Sequence, residues 1–227
     1  VQFSRKLPVA LAAMALAALT SVVGAGSAAA APEKFACTVQ ANFPERVVVS
    51  TDTTAVPVTL TGCYGHLRYT SSDVINPKGT VQRLIFDGVR TETLMIYPWD
   101  GPGTYRTTNA WGVTKDSKPI AWNWTQTVVK YNAWAGVAAT RSGDKTTVTV
   151  AAKRFSAYQG LIAYPNRVVG IQSAPSATGP WKNIGYVTVG PVGRATKVFE
   201  AEPDQFYRSF FGETGSFVSA VSRPVQR

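Results

Sequence analysis

From residue 46 onward, apolar and polar residues alternate in short runs rich in β-branched and aromatic side chains. A period of two sends successive side chains to opposite faces, so each run predicts a half-buried strand rather than a helix. The predicted strands in the first half are Arg46–Ser50, Val56–Thr61, Thr80–Phe86, Thr93–Tyr97, Gly103–Thr108 and Ile120–Val129. Those in the second half are Thr146–Ala151, Arg167–Gln172, Ile184–Val189, Ala195–Ala201, Phe206–Phe211 and Phe217–Val221. Turn clusters separate them, among them Asn76-Pro77-Lys78-Gly79, Asp100-Gly101-Pro102-Gly103 and Thr178-Gly179-Pro180. Many short strands at this spacing predict an all-β fold of the sandwich or barrel class.

The first thirty residues follow another pattern. Arg5 and Lys6 precede an apolar run from Pro8 to Val23, and small residues follow from Gly24 to Ala31. That order predicts a signal peptide, 1–30, cleaved before Ala31. The apolar run is shorter than the ~20 residues a membrane span needs. The residues before Cys37 do not resemble a lipoprotein acceptor site, and Ser222–Arg227 carries no apolar segment or sorting motif. The expected product is secreted, extracellular or loosely wall-associated, and not membrane-anchored.

Two cysteines, Cys37 and Cys63, are the whole complement. In an exported chain such a pair predicts a single disulfide. With His66 as the sole histidine, they fall short of a zinc set. Removing the leader's two cations leaves 21 basic against 13 acidic residues, about +8. The excess is dispersed and lacks the stripe or motif of a nucleic-acid surface, so no nucleic acid is expected. Loose attraction to anionic wall polymers is.

Chemistry is sparse. His66 lies beside Cys63 without a Gly-x-Ser-x-Gly elbow, and it reads as a partly buried structural imidazole rather than a triad base. Glu200 and Glu202 alternate with Phe199 and Ala201, which places both on a solvated strand face rather than in a catalytic pair. Asp204 beside them supplies no regular calcium loop. Gly101-Pro102-Gly103 lacks the Gly-Lys-Ser/Thr of a phosphate loop. No catalytic, cofactor or metal residue is assigned, and the chain reads as a non-enzyme.

Tryptophan is the remaining lead. Trp99, Trp111, Trp122, Trp124 and Trp134 all fall before residue 141. On one strand Trp122 and Trp124 share a face with Ile120 and Val128, which predicts that face to be core and Asn123, Thr125 and Thr127 to be solvated. Trp99, Trp111 and Trp134 are left as candidate glycan contacts, because exposed aromatic rings stack on the apolar faces of sugars.

Arg141-Ser142-Gly143-Asp144 is the expected boundary between domains 31–141 and 142–227. Pro102-Gly103-Thr104-Tyr105-Arg106 is echoed by Pro203-Asp204-Gln205-Phe206-Tyr207-Arg208. Each leads a turn into a strand at Tyr-Arg, which makes Tyr105 and Tyr207 candidates for the tyrosine corner of immunoglobulin-like sandwiches. About the last eighty residues go further. Val168-Val169-Gly170-Ile171-Gln172, Gly179-Pro180-Trp181-Lys182-Asn183-Ile184 and Phe206-Tyr207-Arg208-Ser209-Phe210-Phe211-Gly212 together resemble Ig-like or fibronectin-like repeat modules of exported Gram-positive proteins. Ile171-Gln172 stands where that family has Leu-Gln. The resemblance implies architecture and supplies no catalytic residue. Two immunoglobulin-like β-sandwiches in tandem are therefore expected. Their function is expected to be non-catalytic binding to an extracellular protein or cell-wall polymer through loops, with carbohydrate binding as the alternative.

Overall fold

The computed structural model describes residues 35–227 except Ala201 and Pro203, so the leader and its cleavage point lie outside the described residues. The first nine strands are β1 (Thr38–Asn42), β2 (Arg46–Val49), β3 (Thr54–Gly62), β4 (Leu67–Asn76), β5 (Gly79–Asp87), β6 (Thr91–Ile96), β7 (Gly103–Thr114), β8 (Ala121–Asn123) and β9 (Gln126–Tyr131). They form two facing sheets, ordered β6-β3-β1-β8 and β2-β9-β7-β4-β5. Val39, Val58, Leu60, Leu84, Phe86, Leu94, Ile96 and Tyr105 fill the space between them.

The opening segment is shared between both sheets. β1 runs antiparallel to β3 in one sheet, and β2 runs parallel to β9 in the other. Where the β5 and β6 edges meet, the Gln82 side chain stands in for a strand. Its amide donates to the Thr93 carbonyl at 2.9 Å and accepts from the Met95 N–H at 2.8 Å. Both edge groups gain a partner, which blunts that edge against other chains.

The second set is β10 (Ala133–Ser142), β11 (Lys145–Ser156), β12 (Gly160–Ala163), β13 (Val168–Ala174), β14 (Lys182–Thr188), β15 (Arg194–Glu200), β16 (Phe206–Phe211), β17 (Ala220–Val221) and β18 (Val225–Gln226). In one sheet β11 lies between β10 and the pair β12 and β15; the other is ordered β14-β13-β16-β17, with β18 also on β16. Val148, Val150, Val169, Ile171, Tyr207 and Phe211 are at its core. The chain is thus all-β, two immunoglobulin-like sandwiches in tandem.

Arg141–Asp144 does not part the two cores. It turns the hairpin β10–β11, whose register runs from Ala133↔Arg154 to Ser142↔Lys145. The cores meet at Asn132, between β9 and β10. Its N–H donates to the Val49 carbonyl and its carbonyl accepts from Phe155 N–H, both at 2.9 Å.

The joint is dense. Tyr131 packs against Phe155 and Phe217, and its hydroxyl donates to the Pro98 carbonyl. Lys130, with a side chain only 10% exposed, donates to Glu213 and also to the Thr214 carbonyl at 2.7 Å. Arg46 completes the cluster, 3.0 Å from the same carboxylate. The Lys130 hydrogen bond, helped by Arg46, holds the Glu213 carboxyl below the usual carboxylate range.

Two predicted strands end differently. Ile120–Val129 splits into β8 and β9 because the chain crosses from one sheet to the other at Trp124-Thr125. Phe217–Val221 keeps only β17, and Phe217 instead bridges to Tyr131.

Candidate functional site

Cys37 and Cys63 form the expected disulfide, with Cα atoms 6.0 Å apart, tying the start of β1 to the end of β3. The Cys63 N–H donates to the Thr38 carbonyl at 3.3 Å. Gly62 precedes it at φ +87°, and a Cβ there would lie 2.2 Å from the Thr38 carbonyl oxygen. Only glycine fits this close approach. His66, in the 3-10 turn Tyr64–His66 just beyond, is exposed rather than partly buried.

Tyr105 is a tyrosine corner. Its ring is fully buried and its hydroxyl donates to the Gly101 carbonyl at 2.7 Å. Asn76 donates to the same hydroxyl at 3.3 Å and to the Asp100 carbonyl at 2.7 Å. Burial pushes the phenol up to about 12. The corner fixes the loop that carries Trp99. Tyr207, the other candidate, is 2% exposed near the start of β16, but its hydroxyl makes no corner hydrogen bond among the described residues.

The structure scatters the three candidate tryptophans. Trp99 is in the short turn Pro98–Asp100 and stacks on Tyr97, centroids 4.8 Å apart and planes 7° apart. Trp111 lies toward the far end of β7 against Tyr69, centroids 5.8 Å apart. Trp134 belongs to the second sandwich rather than the first. It lies on β10, with Lys153 5.6 Å from its centroid and its ring spread over Gly136. All three are half exposed, and none stacks on another among the described residues.

Trp124 departs most from expectation. Trp122 packs on the core and donates to Thr70 Oγ1 at 3.0 Å, whereas Trp124 is 62% exposed. Thr127, expected in solvent, is 1% exposed. Alternation holds only within a continuous strand, and the crossover between sheets resets its phase. The stretch Trp122–Thr127 contains no Gly or Pro to mark the break.

Trp124 lines a cavity of about 510 Å³ with Arg106, Thr107, Thr108, Thr125 and Gln126. The cavity opens where β7 and β9 part, past the pair Arg106↔Gln126. Thr107 and Thr125 hold the fork: Thr107 N–H donates to the Thr125 carbonyl at 3.1 Å, and Thr125 N–H donates to Thr107 Oγ1 at 3.2 Å. Next to it on the same sheet, Asp73 opposes Thr108 and binds Arg83 at 2.7 Å and Asn109 at 3.1 Å. Asn109 sits in a β7 bulge at φ 47°, a conformation Asn tolerates better than most residues. The Arg83 and Asn109 hydrogen bonds hold the Asp73 carboxyl below its ordinary value.

Glu200 and Glu202 are exposed, and no group of three or more His, Cys, Asp or Glu side chains among the described residues is arranged to hold a metal ion. Among the described residues no helix is long and apolar enough to cross a membrane.

No known protein family matches the sequence, and no curated protein does. Solved structures similar in fold include the biofilm-associated protein BSP domain, at 15% identity and TM-score 0.28. A two-domain fibronectin type III segment of chicken tenascin is similar at 11% identity and TM-score 0.43, covering 82% of this chain and 95% of that one. Fibronectin(III)-like modules of Clostridium thermocellum CbhA follow at 17% identity and TM-score 0.34, covering 83% of this chain and 90% of theirs. The BSP domain match covers 83% of this chain but only 30% of the other. Two of these three are fibronectin type III or fibronectin(III)-like segments, and the likeness is one of fold alone.

Proposed function

We propose that the chain is an exported, non-catalytic binding module of the bacterial cell exterior, contacting cell-wall polymers or protein partners through its end loops and sheet faces. The observation that carries this reading is the joint at Lys130–Asn132. Continuous backbone, a shared aromatic cluster and the Lys130–Glu213–Arg46 cluster tie the two sandwiches together. Loops on so fixed a scaffold suit recognition. Export is supported by the N-terminal pattern and the disulfide. The test is retention: the protein is mixed with washed bacterial envelopes and rinsed at high salt. Retention supports the reading, and full release at modest salt reduces the association to dispersed positive charge.

A second reading, carbohydrate binding through exposed tryptophan, is favoured by one feature of the first sandwich. Trp124 is exposed beside a polar groove, whereas Trp99 and Trp111 lie against tyrosines. A panel of neutral and acidic polysaccharides read by Trp fluorescence tests it; a flat response across the panel removes it.

A further inference from the structure

The groove beside Trp124 is longer than one cavity. A second cavity of about 240 Å³, bounded by Ile75, Asn76, Pro77 and Thr104, shares Arg106 and Gln126 with the first. The two adjoin at Arg106 and Gln126 along the outward face of β7 and β9, and together they are treated as one furrow. Thr104, Arg106 and Thr108 point into it at two-residue spacing, so its floor runs roughly 13 Å from Thr104 to Thr108. That length suits an extended oligomer better than a compact ligand.

Its walls define the chemistry. Every other tryptophan already has a partner: Trp99 on Tyr97, Trp111 on Tyr69, Trp122 on Thr70, Trp134 beside Lys153 and Trp181 beneath Arg208. Trp124 has neither an aromatic ring nor a cation against it among the described residues, and it is the most exposed of the large apolar residues of the first sandwich. Arg106 is exposed and makes no ion pair or side-chain hydrogen bond among the described residues. Asp73, opposite Thr108 on the same face, is already paired with Arg83 and hydrogen-bonded by Asn109 rather than by Arg106. A free ring, an uncompensated guanidinium, and the hydroxyls and amide of Thr104, Thr108 and Gln126 therefore line one furrow.

We infer that this furrow binds an acidic polysaccharide strand, with one sugar ring stacked on Trp124 and the carboxylate of a neighbouring sugar held by Arg106. This deepens the carbohydrate reading above and rests on it. The apolar C–H face of a pyranose meets the negative face of an indole, while its hydroxyls keep their hydration. A guanidinium offers a carboxylate two parallel N–H donors, which a dispersed positive surface does not. Thr104, Thr108 and Gln126 supply hydrogen bonds along the strand.

The experiment is affinity electrophoresis of the full chain at physiological ionic strength, in gels containing polygalacturonate or, separately, neutral dextran. The variants are Trp124→Ala, Arg106→Gln and the charge control Arg194→Gln, an exposed residue of the second sandwich. Both groove positions are exposed, and unchanged thermal unfolding verifies that their variants fold. Polygalacturonate should retard the parent protein, and each groove variant should weaken the interaction by about tenfold, the loss of one charge-assisted or stacking contact. Arg194→Gln should stay close to the parent. Absence of retardation, an equal loss in Arg194→Gln, or full retention in Trp124→Ala overturns the inference. Retardation by dextran that depends on Trp124 but not on Arg106 overturns it too, while leaving the broader carbohydrate reading intact.

Discussion

The Tyr105 hydroxyl reaches back four residues to the Gly101 carbonyl, at 2.7 Å, from a side chain with no exposed surface. The bond ties the start of β7 to the turn that precedes it. Asn76 donates to the same oxygen, so a polar unit is closed inside an apolar core. In Tyr105→Phe both the Gly101 carbonyl and the Asn76 amide lose a partner while the ring stays in place. Unfolding in urea should show a loss of roughly 1–3 kcal/mol, the cost of stranding buried polar groups. An unchanged midpoint would mean that water replaces the hydroxyl.

The same residue sets an alkaline limit. Its phenol titrates near pH 10 in the unfolded chain and at about 12 in the fold, because burial disfavours the phenolate. Below pH 10 both states keep the proton and the group adds no pH dependence. Between 10 and 12 only the unfolded chain releases it, so stability falls as pH rises, by up to about 2–3 kcal/mol. Tyr131 is shifted in the same direction by burial. The signature of Tyr105 is therefore the difference between parent and Tyr105→Phe, whose alkaline loss should be smaller. Parallel profiles would show that the corner opens before it ionises.

Reducing the Cys37–Cys63 bond releases a loop with a sequence separation of 26. Chain entropy puts the destabilisation at about 3.5 kcal/mol. The paired substitution Cys37→Ser with Cys63→Ser should match the effect of a reductant on the parent, and the reductant should then do nothing further. Gly62→Ala should destabilise without touching the bond, because the new methyl meets the Thr38 carbonyl. Guanidinium titrations of the three proteins make the comparison.

Much of this fold was legible from alternation, and the gaps have physical causes. β4 reads Leu-Arg-Tyr-Thr-Ser-Ser-Asp-Val-Ile-Asn, yet it lies between β5 and β7. Thr70 and Ser72 are buried, their hydroxyls donating to the carbonyls of Trp111 and Thr108, so polar residues interrupt the apolar alternation between Leu67 and Val74. β10 is rich in alanine, which has little strand preference alone; its burial against the second core decides. The furrow was hidden for the same kind of reason. Alternation directs Trp124 inward, in a phase that the sheet crossover resets. Arg106 carries no motif, and its lack of a counter-charge emerges only once Asp73 is seen bound by Arg83 and by Asn109 from a bulge.

Glu213 links the two sandwiches electrostatically, and its titration should control the joint. Lys130 donates to it from a nearly buried position, and Arg46 from the first sandwich approaches it at 3.0 Å. Both favour the carboxylate, and the Lys130 hydrogen bond does most to hold its folded pKa below the unfolded value. The stabilisation is then fully present above the ordinary carboxylate range and is lost as pH falls through the lowered value. Asp73, lowered in the same direction by Arg83 and Asn109, adds to the acid loss but sits within the first sandwich. Glu213→Gln should therefore do two things that Asp73→Asn does not. It should let the sandwiches tumble more independently in ¹⁵N relaxation at neutral pH, and it should remove a loosening otherwise seen on acidification. With Lys130 left nearly buried and uncompensated, the variant should also lose stability at pH 7. If relaxation of the parent shows two independent bodies at neutral pH, the cluster does not fix the joint, and Tyr131 with its aromatic neighbours becomes the contact to alter next.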